Sequence, residues 1–308
     1  MAKIFIDGSA GTTGLRIRER LAERSDLSLI VLPEELRKDI NARREALNEA
    51  DVAFLCLPDA AAIEAVSLIS NPNTAVIDTS TAHRTNPAWE YGFPELRGRR
   101  ERIAASKRIA NPGCHASGFV ALVEPLVRNG LLSKDVRLTA YSLTGYSGGG
   151  KKMIAEYEGA ERDVLLDAPR MYGLSQSHKH LPEMGVVCGI EHAPIFCPVV
   201  APYYAGMEVT VPLFADQIKG TAEDVCAVYR DYYQGGLVRF VTEGDEGGFL
   251  SANAYEGRDD MEISVHGNAE RLLLVARFDN LGKGASGAAI QNMNILLGAD
   301  ETAGLSIG

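Results

Sequence analysis

A cysteine at the start of a predicted helix is the residue best suited to covalent chemistry. Cys114 follows the turn formers at 111–113 and precedes helix formers at 119–128. Near a helix N-terminus the macrodipole stabilises the thiolate, which is the nucleophilic form of the side chain. Most cysteines are instead small buried residues, and four others lie in such apolar or helical settings: Cys56, Cys188, Cys197 and Cys226. We therefore expect Cys114 alone to be a nucleophile.

A nucleophile of this kind needs an acid–base partner, and the densest polar cluster lies at residues 176–183. It contains His178, His180 and Glu183, and an imidazole oriented by a carboxylate suits proton transfer. A metal pair is disfavoured because no third or fourth ligand is near the two histidines. The remaining alternative is a pair of surface histidines without function. His115 adjoins Cys114, but neighbouring residues on a helix do not face each other.

A glycine turn between a predicted strand at 3–7 and a predicted helix at 15–24 indicates a dinucleotide site. The spacing is G-x-x-G-x-x-G, and the candidate cofactor-binding residues are Gly8, Ser9, Gly11, Thr12, Thr13 and Gly14. Glycines there permit positive φ and let backbone N–H groups approach a pyrophosphate at the helix N-terminus. The strand–turn–helix context favours this interpretation over a purely structural turn.

The residues after the second predicted strand leave the choice of cofactor open. Glu34 favours the ribose hydroxyl of NAD, whereas Arg37 or Lys38 favours the 2′-phosphate of NADP. All three also suit the solvated start of a helix, which is predicted over residues 37–50.

The order of elements predicts an α/β chain with two domains. Strands and helices alternate through residues 3–78, which is typical of a parallel sheet covered on both faces, a Rossmann-type domain. After about residue 113, long strand-like segments at 136–143, 207–214 and 271–278 predict an α+β domain with a mostly antiparallel sheet. A last helix is expected at 288–297.

Composition excludes several classes of protein. The 308 residues are 46% hydrophobic and 23% charged, which excludes a disordered chain. The net charge of -10 argues against a general nucleic-acid or membrane-surface binder, and no run is long enough to span a membrane. Five cysteines without short paired spacing, and an N-terminus unlike a signal peptide, lead us to expect a cytoplasmic protein.

Motifs in a fixed order run through essentially the whole chain. After the glycine turn come D-T-S-T-A-H-R at 78–84, Y-G-F-P-E-L at 91–96, N-P-G-C at 111–114, a glycine-rich segment at 145–151, H-K-H-L-P-E at 178–183, and D-N-L-G-K-G-A-S-G at 279–287 with Gln291 and Asn292. Together they resemble the short form of the N-acetyl-γ-glutamyl-phosphate reductase family, in the semialdehyde dehydrogenase superfamily. His115 departs from the long form, whose members often carry an aromatic residue there.

The resemblance implies an activity. The family uses NADPH to reduce N-acetyl-L-glutamyl 5-phosphate to the 5-semialdehyde through a cysteine thioester, in arginine biosynthesis. By resemblance Cys114 is the nucleophile, His180 the acid–base group and Glu183 its orienting carboxylate, with His178 as second choice of base. Expected substrate contacts are Arg84, Ser80 and His178, since a guanidinium binds phosphate bidentately. Arg37, Lys283 and Gly284 complete the expected cofactor contacts.

The resemblance also implies a fold like that of glyceraldehyde-phosphate dehydrogenases. We expect a dinucleotide-binding domain at 1–113, to which residues 285–308 return, and a catalytic and oligomerisation domain at 114–284. The family is oligomeric, so a homodimer or homotetramer is expected. Its partner is a small acyl phosphate rather than a nucleic acid or a membrane.

Two other functions compete with this one. Aspartate-semialdehyde dehydrogenase uses the same mechanism on a shorter substrate with a free amino group. The residues after His180 and the segment at 279–287 favour the acetylglutamyl enzyme. A non-catalytic Rossmann sensor of nucleotide state requires an unreactive Cys114, which the His-Pro-Glu cluster argues against.

Overall fold

The computed structural model describes residues 1–308, which form two compact units. Unit 1 comprises residues 1–94, 98–112 and 285–305, and unit 2 comprises residues 95–97, 113–284 and 306–308. None of the helices combines the length and the apolar character that crossing a bilayer would require.

Helices and strands are numbered along the chain. The α-helices are α1 (Thr12–Ala22), α2 (Ile40–Glu49), α3 (Asp59–Ser67), α4 (Arg99–Ala105), α5 (Cys114–Arg128), α6 (Gly150–Glu158), α7 (Leu181–Cys188), α8 (Ala222–Tyr232) and α9 (Gly287–Leu297). The strands are β1 (Ala2–Asp7), β2 (Leu27–Ile30), β3 (Val52–Leu55), β4 (Ala75–Asp78), β5 (Glu90–Tyr91), β6 (Arg108–Ala110), β7 (Thr139–Gly145), β8 (Arg170–Met171), β9 (Ile195–Ala201), β10 (Met207–Phe214), β11 (Gln234–Gly235), β12 (Val238–Phe240), β13 (Met261–Gly267) and β14 (Arg271–Phe278).

Unit 1 is a parallel sheet with helices on both faces. The strand order is β2-β1-β3-β4-β6-β5, and every neighbouring pair is parallel. Helices α1, α4 and α9 bury Ile17, Ile103 and Ile290 against one face. Helices α2 and α3 bury Leu47 and Ala62 against the other. The short apolar strands are buried on both faces, as a parallel sheet requires, and the predicted Rossmann-type domain is confirmed.

Unit 2 is built on an eight-stranded mixed sheet in the order β11-β12-β13-β14-β10-β7-β9-β8. Neighbours are antiparallel except the pairs β12–β13 and β7–β9, so the predicted mostly antiparallel sheet is confirmed. Helix α5 packs across β10 and β14. A Cβ on Gly118 would lie 2.6 Å from Val209 Cγ2, so a glycine is needed where the helix meets the sheet.

Some predicted element bounds are wrong. Helix α2 begins at Ile40 rather than at Arg37, because the side chain of Asp39 caps it by accepting hydrogen bonds from the N–H groups of Asn41 and Ala42. A 3-10 turn, Glu34–Leu36, precedes it. Helix α5 begins at Cys114 itself, five residues before the helix formers at 119–128.

The boundaries of the units differ from the predicted domains at Gly113, which belongs to unit 2, and at two short segments. Residues 306–308 belong to unit 2, because the N–H of Asp259 donates to the Ser306 carbonyl (2.7 Å) and the Ser306 N–H donates to Asp259 Oδ2 (2.8 Å). Residues 95–97 also belong to unit 2, since Glu95 forms an ion pair with Lys283. Both segments were expected in the first domain.

Candidate active site

The glycine turn of unit 1 adopts a conformation that side chains would prevent. Gly8 has φ +87°, and a Cβ there would lie 2.2 Å from the carbonyl oxygen of Cys56. A Cβ on Gly14 would lie 2.5 Å from the Gly8 carbonyl oxygen, and the Gly11 N–H donates to that same oxygen (3.0 Å). The turn therefore brings backbone close to any group at the start of α1.

The start of α1 fits the phosphates of a dinucleotide. The helix has no side-chain cap and no acidic residue in its first turn, and the buried Thr12 Oγ1 has no hydrogen-bond partner. Asp7, at the end of β1, accepts hydrogen bonds from Nε (3.1 Å) and Nη2 (3.0 Å) of Arg43. Although burial raises the pKa of Asp7, Arg43 opposes the shift and offsets its negative charge. An anion bound at the start of α1 would therefore meet backbone N–H donors and little negative charge that could repel it.

A cavity of about 630 Å³ lies beside the glycine turn, within unit 1. Gly8 and Ser9 line it together with Glu34, Arg37 and Lys38 after β2, which is where a Rossmann domain holds the adenosine ribose. Glu34, which favours NAD, therefore lines the same cavity as Arg37 and Lys38, which favour NADP. Arg18 of α1 also lines it, and the sequence analysis did not single it out because it lies within an ordinary helical repeat.

Cys114 is the first residue of α5, in unit 2. Its N-cap, Gly113, provides no side-chain cap, and the first turn contains no acidic residue, so the macrodipole acts on the sulfur without local opposition. The cysteine is half-buried. A Cβ on Gly284 would lie 3.0 Å from Cys114 Cβ, so a glycine there leaves room for the nucleophile. By contrast, burial raises the pKa of the Cys56 thiol to about 12, as expected of a structural cysteine.

Three imidazoles surround this helix start. The ring centroids of His178 and His180 are 4.8 Å apart. The ring centroid of His115 lies 6.0 Å from that of His178 and 5.6 Å from that of His180. His180 immediately precedes α7 and is buried, whereas His178 is half-buried and accepts from the His180 N–H (3.3 Å). The structure thus brings both predicted histidines together and adds His115. No cluster of histidine, cysteine or carboxylate side chains is arranged to hold a metal ion.

Glu183 joins α7 to the peptide that precedes Cys114. The side chain is buried in the first turn of α7, and Oε1 accepts a hydrogen bond of 2.8 Å from the Gly113 N–H. This bond fixes the peptide group from which α5 and Cys114 start. The expected role of Glu183 in orienting His180 stays a prediction.

His115 has two hydrogen-bond partners that the sequence analysis missed. Its Nδ1 lies 2.7 Å from Ser142 Oγ, and its Nε2 lies 2.7 Å from the Tyr172 hydroxyl. Burial, followed by the charges of His178 and Lys179, lowers the pKa of His115 to about 3, so its ring is neutral at pH 7. No local pattern links positions 115, 142 and 172, because they lie on different elements.

The D-T-S-T-A-H-R segment forms a hydrogen-bonded loop after β4. The Ser80 hydroxyl donates to Asp78 Oδ2 (2.7 Å), and His83 Nδ1 lies 2.6 Å from the same oxygen. Arg84 Nε donates to the carbonyl of Asn111 (2.9 Å), three residues before Cys114. Ser80 and Arg84 therefore organise unit 1 near the segment that leads to the nucleophile. Their contacts with substrate stay predictions.

Lys283 and Gly284 lie in the π-helical turn Gly282–Ser286 that precedes α9. Lys283 is buried, and its Nζ donates to Glu95 Oε1 at 2.6 Å. That ion pair occupies the ammonium group, so a cofactor contact at this turn would rely on backbone. The glycine-rich segment at 145–151 forms the end of β7, a 3-10 turn and the start of α6, where Lys151 is exposed.

Models of two protein domains match this chain. The semialdehyde dehydrogenase NAD-binding domain matches residues 3–106, and the semialdehyde dehydrogenase dimerisation domain matches residues 114–280. The chain belongs to the semialdehyde dehydrogenase family. Its first unit is thus a dinucleotide-binding domain, and the predicted superfamily and enzyme class, a nicotinamide-dependent oxidoreductase, are confirmed.

Curated relatives identify which family of semialdehyde dehydrogenases the chain belongs to. The N-acetyl-gamma-glutamyl-phosphate reductases of Brucella ovis and Brucella canis are each 47% identical to this semialdehyde dehydrogenase, over 96% of its chain and 99% of theirs. The chain therefore belongs to the N-acetyl-gamma-glutamyl-phosphate reductase family, as the motifs predicted.

Solved structures agree on the fold. Aspartate semialdehyde dehydrogenase II from Vibrio cholerae superposes with a TM-score of 0.71 at 16% identity, covering 96% of this chain and 98% of that one. A probable aspartate-semialdehyde dehydrogenase from Pseudomonas aeruginosa gives 0.70 at 18% identity with the same coverage. At such identities the likeness concerns the fold alone, so it does not favour an aspartate substrate.

Proposed function

We propose that this enzyme reduces N-acetyl-L-glutamyl 5-phosphate to N-acetyl-L-glutamate 5-semialdehyde with NADPH, releasing phosphate, as a step of arginine biosynthesis in the cytoplasm. The observation that carries the proposal is Cys114 at the uncapped start of α5, with its preceding peptide held by Glu183 and with the buried ring of His180 5.6 Å, between ring centroids, from the adjacent His115. The relatives that share 47% of the sequence are named for this substrate.

In the first step the Cys114 thiolate attacks the acyl carbon. A carbon–sulfur bond forms, and the bond from that carbon to the phosphate oxygen breaks, so phosphate leaves with the electron pair. The start of α5 stabilises the thiolate before attack. The product is a thioester, which accepts hydride far better than a carboxylate does.

When bound, NADPH would supply the hydride that reduces the thioester carbon. The imidazole of His180 donates a proton to the carbonyl oxygen, giving a thiohemiacetal on Cys114. The same imidazole then takes the hydroxyl proton back while the carbon–sulfur bond breaks, which releases the aldehyde and restores the thiolate. His178 is the second choice for this role.

The residues that would bind the pyrophosphate and the 2′-phosphate of NADPH lie in unit 1. The backbone of the glycine turn and the Thr12 hydroxyl would bind the pyrophosphate, and Arg37 in the adjacent cavity would bind the 2′-phosphate. Ser9, Thr13 and the backbone of Lys283 and Gly284 remain further expected contacts. For the substrate we propose Arg84, Ser80 and His178.

We also propose a homo-oligomer, formed through the open face of the eight-stranded sheet. On the face opposite α5, four large apolar side chains are more than a third exposed: Tyr141 (39%), Ile195 (61%), Phe214 (62%) and Leu273 (41%). The strand register places them on one side of adjacent strands. Contiguous exposed apolar surface of this kind marks interfaces, and the matching model of this region is a dimerisation domain.

Acyl-enzyme trapping tests the proposed function. Enzyme mixed with N-acetyl-L-glutamyl 5-phosphate, without a hydride donor, should gain the mass of an N-acetylglutamyl group on the peptide that contains Cys114. Cys114→Ala should gain nothing, whereas Cys197→Ala, which alters another half-buried cysteine, should behave like the native enzyme. No mass gain at Cys114 would contradict covalent catalysis.

The reverse reaction tests the substrate. With phosphate and NADP⁺, the enzyme should oxidise N-acetylglutamate semialdehyde and leave aspartate semialdehyde unchanged. Oxidation of aspartate semialdehyde alone would make it an aspartate-semialdehyde dehydrogenase. An enzyme that binds NADPH but oxidises neither aldehyde, with a slowly alkylated Cys114, would indicate a nucleotide sensor.

A further inference from the structure

A chain of three side chains runs from the sheet of unit 2 to the nucleophile. Ser142 of β7, on the face that α5 covers, is completely buried, and its Oγ lies 2.7 Å from His115 Nδ1. The other ring nitrogen, Nε2, lies 2.7 Å from the hydroxyl of half-buried Tyr172. Phe196 packs edge-on against the His115 ring at 5.3 Å, which holds the ring in place.

The direction of these hydrogen bonds follows from the burial of Ser142. Its hydroxyl bonds with His115 and with no other residue of the chain, and a buried hydroxyl is costly unless it donates its proton. Nδ1 of His115 is therefore the acceptor. A neutral imidazole with an accepting Nδ1 carries its proton on Nε2. That N–H then donates to the oxygen of Tyr172.

Because the Tyr172 oxygen accepts from His115, the Tyr172 hydroxyl can donate its own proton to a different acceptor. Burial and a charge on the Cys114 sulfur both raise the pKa of this phenol, so Tyr172 stays protonated and lies within electrostatic reach of the nucleophile. Its ring centroid is 5.8 Å from that of His178. The Tyr172 hydroxyl is thus a neutral donor that is hydrogen-bonded to the ring of His115, the residue that follows Cys114.

We propose that His115 is a positioning residue, which fixes the direction of the Ser142–His115–Tyr172 chain so that the Tyr172 hydroxyl donates a hydrogen bond to the acyl oxygen of the group on Cys114. This inference rests on the proposed function for the identity of that group. A fixed donor at an oxygen that gains negative charge stabilises the transition state more than the bound substrate. His115 itself exchanges no proton with substrate and stays neutral throughout.

The tautomer of His115 is measurable without any substrate. In the ligand-free enzyme at pH 7, ¹⁵N NMR of labelled histidines should show His115 with a protonated Nε2 and an unprotonated Nδ1. The signals are assigned by their loss in His115→Phe, or in His115→Gln should the phenylalanine variant not fold. A ring with its proton on Nδ1, or a doubly protonated ring, would overturn the proposal.

Kinetics test whether His115 acts through Tyr172. Tyr172→Phe should lower kcat on the order of a hundredfold to a thousandfold, as loss of one transition-state donor does, with KM for the acyl phosphate changed less than about twofold. His115→Phe should lower kcat similarly, and the double variant should be no slower than Tyr172→Phe alone. Losses that multiply would show that the two residues act independently and would overturn the coupling.

Two further variants separate positioning from structural damage. His115→Gln keeps an amide that can donate to Tyr172, so it should retain more of kcat than the phenylalanine variant does. His266→Phe is the matched control, because His266 also bonds a serine of the sheet, Ser264 (2.9 Å), outside this cluster. It should leave kcat near the native value. Equal losses in His115→Gln and His115→Phe would contradict the proposal.

The proposal and the proposed function fail in different ways. Should the native enzyme not reduce the acyl phosphate, the proposed function is wrong while the NMR result still reports the direction of the chain. Should the enzyme be active but His115 carry its proton on Nδ1, only the positioning role is wrong.

Discussion

The N–H of Gly113 donates a 2.8 Å hydrogen bond to Oε1 of Glu183, which ties the first peptide of α5 to the first turn of α7. Cys114 therefore follows a peptide group whose orientation a second helix controls. Removing that acceptor should affect both stability and catalysis.

Glu183→Ala should lower the free energy of unfolding by about 1–3 kcal/mol, because it leaves a buried N–H without its acceptor. It should also lower kcat by letting Cys114 shift. Glu183→Gln keeps an acceptor oxygen and should recover most of the stability. Urea unfolding and steady-state kinetics check both effects. Exposed Glu191, replaced by alanine, is the control. A fully active, fully stable Glu183→Ala would contradict the role.

His180→Asn should lower kcat strongly, on the order of a hundredfold or more, since proton transfer by a positioned side chain contributes that much. His178→Asn should cost less, because burial and Lys179 lower the pKa of His178 and disfavour its protonated form. Initial rates across the pH range compare the variants. A larger loss in the His178 variant would reverse the assignment of the base.

Arg37→Ala should raise KM for NADPH about tenfold or more while changing KM for NADH little. The expected loss corresponds to one hydrogen-bonded contact with a charged phosphate. Arg44→Ala is a suitable control, because Arg44 is exposed on α2 and does not line the cavity. Equal effects on both cofactors would remove Arg37 from the 2′-phosphate site and direct attention to Arg18 and Lys38.

Gly8→Ala should destabilise the protein by at least about 2 kcal/mol and abolish cofactor binding. The left-handed conformation itself costs about 1 kcal/mol for alanine, and the new Cβ would lie 2.2 Å from the Cys56 carbonyl. Gly98 has φ +74° but nothing within 4 Å of its Cβ position. Gly98→Ala therefore carries only the conformational cost, and thermal unfolding of the two variants separates strain from collision.

His115 should make stability fall as the pH falls below neutrality. Burial, aided by His178 and Lys179, lowers the pKa of His115 from its ordinary value of 6.5 to about 3 in the folded protein. The unfolded chain therefore takes up a proton below pH 6.5 that the folded protein does not, and stability falls until about pH 3. Between pH 7 and pH 5 the native enzyme should lose about 2 kcal/mol that His115→Phe does not lose. Urea unfolding across this pH range measures both stabilities. An equal loss in the native enzyme and in His115→Phe would contradict the prediction.

Much of the fold followed from local sequence patterns. The glycine turn, the alternation in unit 1 and the start of α5 depend on residues close together in the chain, so their spacing predicted them. Strands β10 and β14 were predicted at their observed bounds, because β10 alternates between buried and more exposed positions and β14 is a mostly apolar run that is continuously buried from Leu274 onward. The start of α2 was misplaced because the capping role of Asp39 was overlooked.

The site was predictable only in part. Local sequence marked the polar or nucleophilic residues that lie at or near helix starts: Cys114, His178, His180 and Glu183. Ser142 occupies one of many alternating strand positions, and its contact with His115 depends on how α5 crosses the sheet. Such contacts are set by tertiary packing, which no local pattern records.

Neither α1 nor α5 has a side-chain cap where it begins. A serine, threonine or aspartate at such a position is worth about 1 kcal/mol to a protein. Apart from the N–H groups of Gly11 and Gly113, which are already bonded, both helices thus leave the backbone donors of their first turn without an intrahelical partner. In the proposed function, anions bound at these helix starts would supply the missing stabilisation, so ligand binding would make the protein harder to unfold.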